Sequence, residues 1–158
     1  MLMKFVRVAP LEDQYGYSLD PQAYLGELPG LKGALPSGAY AFASHAGHYD
    51  FGSTRCVKDL TVAEASLVDE GEELSLTIRL NPNDWKHESG LRIRYTDVRD
   101  VRLAVDEGDG TIPRLGSLLL DELLPHPDGF THEIAFTNGS LFVVAVDLVA
   151  TWEEGDPS

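Results

Sequence analysis

The stretch SHAGHYDFGSTRC, residues 44–56, contains the residue types best able to do chemistry in this chain. His45, His48, Asp50 and Cys56 follow one another closely, and imidazole, carboxylate and thiolate groups are the usual ligands of zinc. A structural zinc site takes four ligands in a tetrahedral array, typically as two closely spaced pairs. His45 and His48 form one such pair, but no second pair follows. A complete site therefore needs a histidine from later in the chain.

That later histidine would be His126 or His132, in the segment DELLPHPDGFTHE, residues 121–133. The predicted metal ligands are His45, His48, Asp50 and His132, and zinc is the one cofactor that they would suit. The competing interpretation has no cofactor: residues 44–56 form a polar connection that Tyr49 and Phe51 anchor to the core. Cys56 then packs as a small hydrophobic residue. The pattern favours the connection, because the paired spacing that makes zinc motifs specific is missing.

Carboxylates beside imidazoles in residues 121–133 could also act as a general acid and base. Asp121 and Glu122 are adjacent, however, and on a strand they point to opposite faces, so they cannot act together simply. We expect the turn Pro127-Asp128-Gly129 here, edged by solvated polar residues. The sequence thus offers no nucleophile, base and orienting group that combine, and an enzyme is the less favoured interpretation.

The elements that must position these residues are mostly strands. Apolar runs and alternating apolar and polar residues predict strands at 2–8, 39–44, 61–69, 73–81, 91–105, 117–124, 129–136 and 140–152. Asp20-Pro21 starts one short helix of about two turns, limited by the glycines and Pro29 that follow. Hairpin turns are expected at Glu70-Gly71-Glu72 and at Asn138-Gly139, the latter as a type I′ turn. The segment 117–124 is the most ambiguous, because its leucines also suit a helix.

Seven or eight strands with one short N-terminal helix predict a mainly β fold, α+β at most. We expect an antiparallel β-sandwich or a strongly bent sheet. A chain of 158 residues is long enough to bury a core without disulfides or a metal. Residues 1–152 are expected to form one globular domain, and residues 153–158 a flexible acidic tail.

Charge is the strongest global signal. The chain has 12 Lys and Arg against 26 Asp and Glu, a net charge of −14. Such a field repels nucleic acids and anionic membranes and would steer the protein toward a basic protein partner. The alternative, which composition favours, is that the acidic residues simply maintain solubility. The only cysteine, Cys56, cannot form an intramolecular disulfide, and no signal peptide or membrane span is recognisable. The cytoplasm is the expected compartment.

Two loops carry the predicted partner-binding residues. NPNDWKHESG, residues 81–90, places a tryptophan among polar residues, the composition of a binding hot spot. It is equally compatible with a tryptophan tucked into the edge of the core. VDEGDG, residues 105–110, is acidic. The predicted contacts are Trp85, His87, Glu88, Asp106, Glu107 and Asp109.

A stripe of arginines is expected on one face of the sheet. Arg79, Arg92 and Arg94 point outward on neighbouring strands, and we expect Glu64 and Asp69 on the adjacent strand to neutralise them.

Three segments carry a general resemblance: RCVKDLTVAEASLVDEGEELSLTIRL, LRIRYTDVRDVRL and LLLDELLPHPDGFTHEIAFTNGSLFVVAVDLVATW. In this strand-turn-strand pattern the chain is similar to small bacterial proteins, including immunity proteins that neutralise a partner toxin. The resemblance implies that acidic side chains occlude a basic active site on the toxin. The favoured function is therefore a non-enzymatic, cytoplasmic protein-binding domain. The alternatives are a zinc enzyme using His45, His48 and a later histidine, and a structural subunit that forms homodimers.

Overall fold

The computed structural model describes residues 3–12, 16–106 and 114–153, and it shows a mainly β fold. Its strands are β1 (Arg7–Pro10), β2 (Tyr17–Asp20), β3 (Thr61–Asp69), β4 (Leu74–Asn81), β5 (Leu91–Val105), β6 (Leu118–His126), β7 (Gly129–Phe136) and β8 (Gly139–Trp152). The helices are α1 (Gln22–Glu27) and α2 (Ser37–Ala43), with a 3₁₀ turn at Leu28–Leu31. The mainly β prediction is confirmed, and the segment 117–124 is a strand.

Six of the strands form one antiparallel sheet in the order β3-β4-β5-β8-β7-β6, and β1 and β2 form a separate hairpin. The predicted strand at 39–44 is wrong, because these residues belong to α2, so the described chain has a second short helix. The N-terminal N–H groups of α2 are hydrogen-bonded to a residue that lies far away in the sequence. The Asp147 carboxylate on β8 accepts hydrogen bonds from the N–H groups of Gly38 (3.2 Å) and Ala39 (2.9 Å).

Both predicted hairpins are present, but one turn differs from expectation. Gly71 has a φ of +93°, as a tight turn between β3 and β4 requires. Between β7 and β8, Phe136 pairs with Gly139, so Thr137 and Asn138 form the turn, and neither Asn138 nor Gly139 has a positive φ. The type I′ prediction is therefore wrong. Gly139 is needed for space, since a Cβ there would lie 2.3 Å from the Ala104 carbonyl oxygen.

The sheet is strongly bent, as predicted for one of the two alternatives. β5 contains a bulge between Val98 and Asp100, and Asp97 beside it has a φ of +50°. Bulges bend strands and increase their twist. The two outer strands consequently meet at one end: the Leu118 N–H donates to the Leu60 carbonyl (2.8 Å), and Thr61 bridges to Ser117. The curled sheet encloses the core and leaves a polar group of residues inside it.

Strand β6 lies at an edge of the sheet and is nevertheless buried. The hydroxyls of Tyr49 and Tyr24 donate to the Asp121 and Leu123 carbonyls, at 2.9 and 2.6 Å, and thereby satisfy backbone groups of this edge. The Glu122 side chain is held by the N-terminal segment. Its carboxylate accepts hydrogen bonds from three consecutive backbone N–H groups, at residues 4–6.

Candidate functional site

A buried polar network joins the two chemically promising segments of the sequence. The Asp121 carboxylate on β6 accepts a hydrogen bond from His48 Nε2 at 2.8 Å and another from His132 Nε2 at 2.7 Å. His48 comes from the loop after α2, and His132 from β7. The Tyr95 hydroxyl on β5 completes the network at 2.6 Å from His132 Nδ1. All four side chains are at most 1 % exposed.

The hydrogen-bond partners determine where the protons lie. His48 Nδ1 is 3.0 Å from the Phe42 carbonyl oxygen, and its Nε2 faces the Asp121 carboxylate. With Asp121 ionised, both partners are acceptors, and this arrangement suits a ring that carries a proton on each nitrogen. For His132 one proton suffices, because its Nε2–H donates to Asp121 while the Tyr95 hydroxyl donates to Nδ1. The network therefore places the Asp121 carboxylate between two buried histidines, in the geometry of an ion pair with His48.

The acid–base properties of the network follow from burial and this charge pair. Burial alone would raise the pKa of Asp121, but the His48 charge and the hydrogen bonds from both histidines outweigh it and hold that pKa well below its usual range. Burial and the Asp121 charge raise the pKa of Tyr95 well above its ordinary value. At neutral pH the carboxylate is thus charged and the phenol is not. The network can redistribute protons internally, and it also locks β6 to β7 and to the loop after α2.

Only part of the predicted metal set lies in this network. His48 and His132 meet at a carboxylate, but that carboxylate belongs to Asp121 rather than to Asp50. His45 and Asp50 are exposed and accept hydrogen bonds from nearby backbone N–H groups. In the part of the chain that the structure describes, no three His, Cys, Asp or Glu side chains are arranged to hold a metal ion.

Cys56 has the packing that the competing interpretation expects. Its side chain is fully buried, and this burial raises the pKa of its thiol. Because the thiolate is the nucleophilic form of cysteine, the raised pKa makes Cys56 a poor nucleophile at neutral pH.

The expectation of solvated polar residues along 121–133 is wrong for the strand residues. Asp121 and Glu122 do point to opposite faces of β6, but both are buried, at 1 % and 2 % exposure. The loop after α2 supplies a hydrogen-bond partner to Asp121, and the N-terminal segment supplies the partners of Glu122. Asp121 lies within an apolar strand run, and Tyr95 lies at an inward position of an alternating strand. At both places a polar group needs a buried partner, and this is the signal that could have found them.

Among the residues that the structure describes, the most exposed large hydrophobic side chain is Trp85, in the loop between β4 and β5, at 98 % of its maximal surface. Hydrogen bonds close this loop on itself. The Asn83 side chain accepts from the Trp85 N–H (2.9 Å), and the Asn83 carbonyl accepts from the N–H groups of Lys86 (3.0 Å) and His87 (2.8 Å). The two interpretations left open for Trp85 are thereby resolved in favour of exposure.

His87, predicted as a contact residue, is largely buried and holds this loop to the protein. It is 7 % exposed, its Nε2–H donates to the Cys56 carbonyl (2.7 Å), and its Nδ1 accepts from the Asn83 N–H (2.9 Å). Burial lowers its pKa, which agrees with a neutral ring. The Lys86 ammonium group reaches Asp59 at 3.4 Å. Trp85 therefore projects from an anchored loop.

The remaining predicted partner-binding residues are all acidic. Glu88 and Asp106 are exposed, whereas Glu107 and Asp109 lie outside the described residues, as does the predicted tail from residue 154 onward.

The predicted arginine stripe is neutralised in part by neighbouring carboxylates. Arg79 pairs with Glu64 across the strands at 3.7 Å, as predicted. Arg94 pairs with Glu70 at 3.1 Å, so Glu70 takes the role expected of its neighbour Asp69.

Comparison of the chain with protein-family models, with curated proteins and with solved structures finds no match. None of the described helices has the length and apolar character needed to cross a bilayer. The function must therefore be inferred from the residues and their geometry.

Proposed function

We propose that this chain is a protein-recognition domain that binds a basic partner through the loop carrying Trp85, in the manner of an immunity protein. The observation that carries the proposal is the 98 % exposure of Trp85 on a hydrogen-bonded loop. A tryptophan in water forgoes the free energy of burying its large apolar surface, and tryptophan is among the residues most enriched at binding hot spots.

The loop supports this role because it is already ordered. Its internal hydrogen bonds and its links to Cys56 and Asp59 hold the backbone on both sides of Trp85. Binding then costs little additional conformational entropy in this segment, which favours affinity.

The charge of the chain defines the expected partner. A net charge of −14 speeds association with a basic protein and disfavours acidic ones. A nuclease-type toxin has such a surface, since it binds a polyanion, and we propose that the domain covers that surface in the cytoplasm. No catalytic step is required of the domain.

Site-specific photo-crosslinking in the source cells tests the proposal. A benzophenone amino acid is introduced at Trp85 and, as a matched control, at Leu103, which is 59 % exposed on β5. We expect a covalent adduct of one defined partner at position 85 and not at 103. Purified with its captured partner, the domain should bind more weakly as salt is raised, because screening reduces steering. Trp85→Ala should weaken binding about thirtyfold or more, the effect of a hot spot.

The proposal fails if positions 85 and 103 give the same adducts. It also fails if Trp85→Ala leaves the affinity unchanged while the folded state is intact by circular dichroism. An acidic captured partner would retain the recognition role but reject the charge argument.

A further inference from the structure

One edge of β8 is open in the middle of the sheet. β7 pairs with β8 only as far as Phe130 opposite Ala145, while β8 continues to Trp152 paired with β5 alone. α2 lies beside this unpaired part of β8, and a groove runs between them. The groove is thus formed on one side by a helix and on the other by a strand without its neighbour.

The backbone of β8 directs hydrogen-bonding groups into the groove. The Glu153 N–H donates to the Gly90 carbonyl just before β5, so by strand alternation Thr151 and Val149 also face β5. Leu148, Ala150 and Trp152 then face away from β5. Gly38 of α2 agrees with this direction, since a Cβ there would lie 2.0 Å from the Leu148 carbonyl oxygen.

The backbone of Ala150 faces this open edge. The Leu148 N–H already donates to the Asp147 carboxylate at 2.8 Å. For the Ala150 N–H and carbonyl, no hydrogen-bond partner is present among residues 3–12, 16–106 and 114–153. Open edges of this kind are where an extended peptide can add as a further strand.

The side chains around the groove define the ligand that would fit. A cavity of about 200 Å³ lies there, and none of its lining residues is acidic, although the chain carries −14. Phe42, Leu148 and Trp152 form apolar walls, and Arg55 lies over the Trp152 ring at 5.8 Å. His48 also lines the cavity. An apolar side chain next to a carboxylate complements these walls and charges.

We propose that this groove binds the C-terminus of an extended peptide by strand addition to β8. The peptide backbone pairs with Ala150, its last apolar side chain fills the cavity, and its terminal carboxylate binds Arg55. The groove uses different residues from the Trp85 loop, so this proposal does not rest on the proposed function.

Nuclear magnetic resonance titration of the ¹⁵N-labelled full chain tests the groove. The probes are acetyl-Thr-Val-Thr-Xaa peptides with a free C-terminal carboxylate, in which Xaa is Val, Leu or Phe. We expect at least one peptide to shift the amide signals of Ala150 and Trp152 and the Trp152 indole signal. The same peptide with a C-terminal amide, or added to Arg55→Gln, should bind about tenfold more weakly, since a charge-assisted hydrogen bond is lost. Arg92→Gln, at an exposed arginine of β5 that pairs with Thr151, is the matched control and should bind normally.

Backbone pairing is tested separately from charge. N-methylation of each peptide amide in turn should abolish binding at one or more positions, because strand addition needs those N–H groups. Ala150→Pro should also abolish it while keeping the β5–β8 pairing, since the Ala150 N–H is not used there. The proposal is overturned if no peptide shifts these signals at millimolar concentration. It is equally overturned if acetate alone reproduces the shifts, or if no N-methylation has an effect. If Ala150→Pro does not fold, the methylated peptides decide.

Discussion

Asp121 is the residue at which the two polar segments of the sequence meet, because its carboxylate binds a histidine from each. Removing one member of a buried ion pair leaves the other charge without compensation. We expect Asp121→Ala to lower the free energy of unfolding by about 3–5 kcal/mol, measured by urea denaturation. Asp100→Ala, which breaks the exposed pair with Arg102, should cost no more than about 1 kcal/mol. Equal losses in the two variants would contradict a structural role for the network.

The variant Asp121→Asn tests the protonation of the His48 ring rather than the stability of the fold. The asparagine amide can donate to His48 Nε2, so that His48 needs only the proton on Nδ1 that binds the Phe42 carbonyl. We expect the ¹⁵N shifts of His48 at pH 7 to report two ring N–H groups in the natural protein and one in Asp121→Asn. His45, which is exposed and outside the network, serves as the internal reference. A natural protein in which His48 carries a single proton would show that the pair is not ionic.

At the scale of the elements, the sequence predicted what depends on local pattern and missed what depends on distant partners. The alternation in β4 and the start of β5 is reproduced, with Leu76, Ile78 and Ile93 buried. α2 was missed because AYAFAS alternates like a strand, while its N-terminal N–H groups are bound by Asp147, far away in the chain. The Asp121 network was missed for the same reason: its four residues come from four separate segments.

Asp147 on β8 caps the N-terminus of α2. The Asp147 carboxylate accepts hydrogen bonds from Gly38, Ala39 and Leu148, and thereby ties the helix to β8. We expect Asp147→Ala to destabilise the protein by about 1–2 kcal/mol, the usual cost of losing an N-terminal helix cap. Faster hydrogen exchange should appear at residues 38–43 and not at β3, which Asp147 does not touch. Unchanged exchange in α2 would mean that its packing alone holds it.

At the scale of the whole molecule, acid should act on stability in two opposite steps. Burial raises the pKa of Glu133, so the folded state binds this proton more readily, and stability should rise as pH falls through the folded pKa toward the unfolded value of about 4.3. Partial neutralisation of the −14 charge acts in the same direction. The pKa values of Asp121 and Asp59 are lowered, so their stabilisation is complete above about pH 4 and is lost as pH falls through the folded values.

The urea midpoint should therefore pass through a maximum above about pH 4 and fall steeply below it. Glu133→Gln separates the two causes of the rise, because it removes the titration of one buried carboxyl but leaves the repulsion among the remaining acidic residues. We expect this variant to gain less between pH 7 and pH 5 than the natural chain. The gain that remains should shrink in 0.5 M salt, since screening already relieves the repulsion, whereas burial of Glu133 is insensitive to salt. A midpoint that declines steadily from pH 7 downward would mean that the ionised carboxylates stabilise this fold more than their crowding on an acidic chain opposes it.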